Sequence, residues 1–333
     1  MDIQFNRDYL CAFATLTNKS EKTLEYEETG TKSYNVERAH SYSVIRDYFS
    51  EGIKPPYHLE FEINYDINTP CATGNITTAN VADMSFNESY ANQIISLFAG
   101  YKGQKLGLLA HHQVVFRQTI NQGADTLTHF QIQILPAIDR KQNIDFNLPV
   151  ESNILKSIQK FCQRFEIEVG HSVNQLFNTA TEQTKKEYCN SGTFVQIMDD
   201  LCEKIRAKWL FAPADDGNNP SRLVEVFSVD ENGYCFPHST QGINQIRISQ
   251  ATGLTKFPTP DVKIIYDGNS PVVEYSGEML LNPNVKVGTR LIINDAEGKK
   301  PMVDMYVSKV CHKGSLYGDF WHTSFSGRSA GMN

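Results

Sequence analysis

Nine histidines and seven cysteines give this 333-residue chain enough reactive side chains for metal or nucleophile chemistry, so their spacing is the first test. Cys11, Cys71, Cys162, Cys189, Cys202, Cys235 and Cys311 are far apart, and the closest pair is Cys189 and Cys202. No CxxC or Cys/His spacing of a zinc site occurs. An odd, sparse set does not make a disulfide scaffold either, so buried, reduced thiols are expected. His111 and His112 are neighbours on an expected strand, where successive side chains face opposite ways. They do not share one metal, and one is expected inward and one outward. Asp199 and Asp200 fall on the polar side of an expected helix and read as solvated charges. Gly100, Gly103 and Gly107 give GxxGxxxG without the Lys-Ser/Thr that handles phosphates, and GxSxG and HExxH are absent. A triad assembled from distant residues leaves no such trace. Nothing in these patterns raises an enzyme, and the expectation is no catalytic site, no cofactor and no metal.

The elements that would position these residues are mostly strands. In "YHLEFEINYDI" (57–67) Leu59, Phe61, Ile63, Tyr65 and Ile67 alternate with polar residues, the period of a half-buried antiparallel strand. Residues 106–135 read as two long strands around a turn at Asn121–Asp125, where Gly123 supplies a positive φ. The period then changes. Ile154, Leu155, Ile158, Phe161, Cys162 and Phe165 recur at helical spacing in 151–166. Phe194, Ile197, Met198, Leu201, Cys202 and Ile205 do so in 193–209, with Ser191 or Thr193 placed to cap the second helix. From Leu223 onward short strands return, separated by Gly, Asn, Pro and Asp turns, which suggests a sandwich or barrel. The order is β-rich, α-containing, β-rich, with no repeat visible in the residues.

Composition limits the function classes. A hydrophobic share of 40% and a charged share of 21% fit a globular chain long enough for two or three cores. No stretch approaches the ~18–20 apolar residues of a membrane helix, and the N-terminus lacks the pattern of a signal peptide. Folding in a cytoplasm is expected. The net charge of −7 argues against a chain that grips DNA through its phosphates.

Two C-terminal stretches carry more information. "LLNPNVKVGTRLII" (280–293) resembles a strand–turn–strand of the central baseplate hub proteins of contractile-type tailed phages, relatives of the tube-like part of type VI secretion spikes. "YVSKVCHKGSLYGDFWHTSF" (306–325) is similar to the closing hairpin of that family, with Gly314–Ser315 where Gly-Asp is usual. "LFAGYKG" (97–103), "NQGADTLTHFQI" (121–132) and "ISQATGLTKFPTP" (248–260) follow the family's order. The polar insertion 18–40 has no counterpart.

The resemblance implies a mainly β fold with an α/β insert. A first tube-type antiparallel β-barrel would span 1–143, a peripheral helix-containing domain 144–238, and a second barrel 239–333. It also implies a homotrimeric, pseudo-sixfold ring between the tail tube protein and the central spike protein, with tape measure and baseplate wedge proteins as further neighbours and DNA passing through its lumen. The location would be the virion baseplate, with assembly in the host cytoplasm. Alternatives are a tail-tip or type VI-like conduit protein, or a tail-associated hydrolase or carbohydrate-binding protein. On this view Gly100, Tyr101, Leu281, Asn282, Pro283, Gly288, His312, Gly314, Trp321 and Thr323 serve structure and assembly.

Overall fold

The computed structural model describes residues 7–15, 57–80, 93–134, 144–165, 167–170, 183–215, 220–230, 233–235, 244–263 and 272–330. The insertion 18–40 lies outside them. A first group of six strands comprises β1 (Arg7–Thr15), β2 (Leu59–Asp66), β3 (Thr69–Ala79), β4 (Gln93–Tyr101), β5 (Gly107–Gln122) and β6 (Asp125–Gln133). The alternation expected in β2 is present, with Leu59, Phe61, Ile63 and Tyr65 buried and the residues between them half-buried. Gly123 takes φ +67° in the β5–β6 turn, a value glycine adopts without strain.

An inserted unit follows. It contains β7 (Ile144–Leu148), α1 (Ile154–Arg164), β8 (Glu168–Val169), β9 (Tyr188–Gly192), α2 (Phe194–Lys204), β10 (Ala207–Asp215) and β11 (Pro220–Ser228). These strands form two small sheets of their own, β10-β11-β8 and β7-β9. Asn153 caps α1 through its side chain. Thr193, one of the two expected caps, opens α2 with a capping box completed by Gln196, which satisfies two otherwise orphaned donors. Both apolar stripes are buried, and Phe146, Phe161, Phe165, Phe194, Trp209 and Phe211 form a ring cluster between the helices and β10, with Phe161 and Phe194 stacked and the other contacts mostly edge to face.

Two expectations fail here. The second helix stops at Lys204 rather than reaching Trp209, because Arg206 takes φ +50° and turns the chain into β10. Asp199 and Asp200 are not free solvated charges. Asp199 accepts the Trp209 indole N–H at 2.7 Å, and Asp200 accepts from Asn190 and from the Tyr188 hydroxyl.

The last group comprises β12 (Gln245–Ile248), β13 (Leu254–Lys263), β14 (Val272–Leu280), β15 (Arg290–Asn294), β16 (Pro301–Ser315) and β17 (Trp321–Ser329). The strand order across the first group is β1-β4-β5-β6-β3-β2, and across the last it is β12-β15-β16-β17-β14-β13. Numbered within each group, both read 1-4-5-6-3-2. The fold therefore repeats where the sequence shows no repeat. The groups differ at the first strand, since β1 runs antiparallel to β4 and β12 parallel to β15; the other four pairings are antiparallel in both.

Antiparallel pairing of β2 with the second half of β16 fuses the groups into one twelve-stranded sheet. The class is mainly β with an α/β insert. The insert packs β10 and β11 on β5 and β10 on β3, which explains a third departure. His111 and His112 are both buried, because each face of β5 is covered at that point. His112 meets the Tyr65 ring edge to face, and His111 shares a hydrogen bond with Ser96 at 2.9 Å. All seven cysteines are free thiols; five are buried, Cys311 is half-buried and Cys189 is exposed.

Candidate functional site

The residues singled out by sequence sit at the ends of strands from both groups, and most of them meet. Gly100 and Tyr101 end β4. Leu281, Asn282 and Pro283 form the loop after β14. His312 and Gly314 lie on β16, and Trp321 and Thr323 on β17. The Trp321 indole N–H donates to the Gly100 carbonyl at 3.1 Å, tying the second group to the first across a gap that no strand pairing bridges. Leu281 N–H donates to the Trp321 carbonyl at 3.2 Å. Asn282 N–H donates to Thr323 Oγ1 at 2.9 Å, while its own Oδ1 accepts from Asn284 N–H and shapes the turn. A Cβ on Gly107 would overlap the Pro283 ring, so this glycine allows the two loops to touch. A Cβ on Gly314 would overlap Phe61 and Trp321, which meet edge to face with centroids 5.3 Å apart.

Gly288 stands apart from this cluster. It has φ +84°, donates to the Val307 carbonyl at 2.8 Å, and faces the ring of Phe227 on β11. Its role in the fold is to bring the last group against the insert.

Residues that gave no sequence signal complete the junction. Arg7 on β1 donates to the carbonyls of Ser315 and Gly318 at 2.6 and 2.5 Å, and its guanidinium lies 5.7 Å from the centre of the Trp321 ring. A single arginine in an otherwise ordinary strand has no spacing that could have announced this.

His312 Nδ1 and Thr323 Oγ1 are 3.0 Å apart. A hydroxyl beside an imidazole is the arrangement of an activated nucleophile, but here both side chains are buried, with 0% of Thr323 and 3% of His312 exposed. Thr323 also accepts from Asn282 N–H, so its hydroxyl ties the loop to the imidazole. Burial, reinforced by Lys286, pushes the His312 pKa down to about 3 and keeps the ring neutral. The pair has no route to a substrate and links β16, β17 and the 281–283 loop.

Beside the junction a cleft of about 810 Å³ opens between residues 99–108 and 279–286; its charged lining is Lys102, Lys105 and Lys286, with no carboxylate. The joined sheet also carries a polar face of matched charges. Lys309 pairs with Asp66 at 2.9 Å and Lys313 with Glu62 at 3.3 Å across β16–β2, and Lys256 with Glu278 at 3.9 Å across β13–β14. Among the described residues no group of three His, Cys, Asp or Glu side chains could hold a metal.

No protein-family model matches the sequence, and no curated protein matches it. Solved structures do match in shape. A tail protein from Neisseria meningitidis MC58 superposes with a TM-score of 0.53 at 7% identity over 97% of each chain. The E. coli c3393 protein superposes with a TM-score of 0.54 at 12% identity over 85% of this chain and 76% of that one; it is a type VI secretion component similar to T4 tail proteins gp27 and gp5. This chain has the fold of tail and secretion-spike proteins. The Francisella PdpA–VgrG complex also matches, with a TM-score of 0.54 at 9% identity; 97% of this chain is covered, but only 58% of the matched chain.

Proposed function

We propose that this protein is the structural hub of a phage or phage-like tail, a homotrimeric ring that adapts a sixfold tail tube to a threefold central spike and forms part of the conduit. The observation that carries this reading is the strand order repeated in two halves of one chain. Three copies of a duplicated unit present six nearly equivalent sheets, so one end can stack on sixfold symmetry. The inserted unit and the loops obey only the threefold axis. The division into units 1–143, 144–238 and 239–333 belongs to this proposal.

The polar face of the joined sheet suits a lumen wall. Its lysines are paired with carboxylates across neighbouring strands, which leaves DNA no run of cations to grip. The sealed Thr323–His312 pair supports a role without chemistry. The tail tube, spike, tape measure and wedge proteins are the partners this role calls for. The conduit of a type VI-like spike is the second reading, supported by superpositions as good as that with the Neisseria tail protein.

The test is electron microscopy of the purified protein with class averaging, alongside light scattering. Threefold rings around a pseudo-sixfold lumen are expected. A monomer at every concentration, including with its spike present, would overturn the hub.

A further inference from the structure

We propose that the outer edge of β13 in one copy pairs antiparallel with the second half of β5 in the next, repeating between subunits the β2–β16 junction found within each. The proposal rests on the hub reading and specifies its contact surface.

The equivalence of the two groups can be followed residue by residue. On β5, Gln113 is the last residue paired with β4, and Val115 is the extra residue of a bulge against β6. On β16, Tyr306 is the last residue paired with β15, and Ser308 is the extra residue of a bulge against β17. The bulge comes two residues later in both strands, so Phe116 corresponds to Lys309 and Ile120 to Lys313. Beyond that point β16 receives β2 along Lys309–Ser315. Among the described residues β5 has only β4 and β6 beside it, and β4 stops at Gln113.

The donor strand is found the same way. From Val114 the ladders run through Ile132 and Gly74 to Ile63 on β2. From the equivalent Val307 they run through Gly327 and Tyr275 to Pro260 on β13. Thus β13 holds the place of β2, and its outer edge has no described neighbour. Within one chain Glu62 faces Lys313 and Asn64 faces Cys311. Between chains Thr259 would face Ile120, and Asp261 would face Gln118.

Exposure agrees with this assignment. At the internal junction Phe61, Ile63 and His312 are buried. At the outer edge of β5, Val115 leaves 41% of its surface exposed, whereas its counterpart Ser308, beside β2, leaves 2%; Phe116 and Ile120, at the places of Lys309 and Lys313, lie on the polar face of the sheet.

The backbone favours a different strand over a self-pairing. Leu316 N–H donates to the Leu59 carbonyl and Ile67 N–H to the Ser308 carbonyl, so the odd-numbered residues of β2 turn their backbone groups to β16. Pro260 stands at the position of Ile63 and has no N–H to give. Two β13 edges would therefore lack donors for each other, whereas the second half of β5 contains no proline and supplies them to the β13 carbonyls. Each copy carries one edge of each kind. The contact is head to tail and closes when six equivalent steps complete a turn.

The test is disulfide trapping in a Cys189→Ser background, which removes the exposed native thiol. Directly opposed Cα atoms in an antiparallel pair lie about 4.5–5.5 Å apart, within disulfide reach. Ile120→Cys with Thr259→Cys, and Gln118→Cys with Asp261→Cys, should each give species of up to three linked copies under mild oxidation. The off-register combination Ile120→Cys with Asp261→Cys should give none. Thr119→Pro, which removes an N–H turned to the outer edge at the place of His312, should keep the thermal midpoint of the monomer and weaken ring formation by at least about tenfold.

Threefold rings in which neither in-register pair cross-links would overturn this pairing and leave the hub reading standing. Cross-linking of the off-register pair as readily as the others, or normal rings with Thr119→Pro, would also overturn it. Cross-links between copies that never close into rings would support the pairing and count against the hub.

Discussion

Replacing His312 by Gln separates a buried neutral imidazole from one that handles protons. The ring is buried and shares its hydrogen bond with Thr323. A Gln amide carries both an acceptor and donors for this bond, so the cost at neutral pH is that of a swapped buried partner, about 1–2 kcal/mol. The pH dependence is more specific. Above about pH 6.5, the ordinary histidine value, the ring is neutral in both folded and unfolded chains and its stability contribution is constant. Below that value the unfolded chain takes up a proton, whereas the folded ring resists until about pH 3. Stability is therefore lost progressively as pH falls from about 6.5 toward 3. At pH 5 the interval covered is ~1.5 units, or ~2 kcal/mol at 1.36 kcal/mol per unit. Urea unfolding at pH 7.5 and pH 5.0 should show the wild type losing about 2 kcal/mol more than His312→Gln between the two. Groups common to both proteins cancel in that difference. Equal losses would refute the assignment of a neutral, sealed imidazole at the junction.

The other predictions concern packing. Gly288→Ala should cost ~2–4 kcal/mol, combining a left-handed backbone with overlap of the Phe227 ring; adding Phe227→Ala should recover part of the loss in a double-mutant cycle by chemical denaturation. Trp321→Phe keeps most of the ring but leaves the Gly100 carbonyl without its indole donor, and should cost ~1–3 kcal/mol in the same assay. Trp321→Ala should cost ~3–5 kcal/mol. Leu201→Ala removes a fully buried side chain from the α2 stripe and should cost ~2–5 kcal/mol, whereas a loss under about 0.5 kcal/mol would mean that the stripe faces solvent.

Much of the fold was legible because local rules were sufficient there. The alternation of β2, the positive φ at Gly123 and the Thr193 cap each depend on a few neighbouring residues. The misses depended on distant ones. Residue order places His111 and His112 on opposite faces, but it cannot say that β10 and β11 cover the face that would otherwise meet water. The helix through Trp209 looked continuous because its apolar spacing persists past Ile205, while the turn at Arg206 belongs to the strand that follows. At the junction, the turn formers and Trp321 stood out by type. Arg7 and Phe61 did not, because an arginine capping carbonyls 308 and 311 positions away, or a phenylalanine against a distant tryptophan, is visible only in three dimensions.

The repeated topology was hidden for a reason that bears on assembly. A sheet position requires only that its side chain suit the two faces and the neighbouring strand, so a duplicated strand order can persist after every residue has changed. Ile63 and Pro260, Phe116 and Lys309, and Ile120 and Lys313 occupy equivalent places without sharing a residue type. These differences follow the junctions. Within the chain, Lys309 and Lys313 meet Asp66 and Glu62 across a closed seam. At the outer edges the corresponding places hold exposed Phe116 and Ile120 on one strand and a donor-poor strand on the other. Two identical units would have identical seams and no means of telling a partner strand in the same chain from one in another. In the proposed pairing between copies, divergence at the strand edges, with the order of strands retained, would supply that distinction.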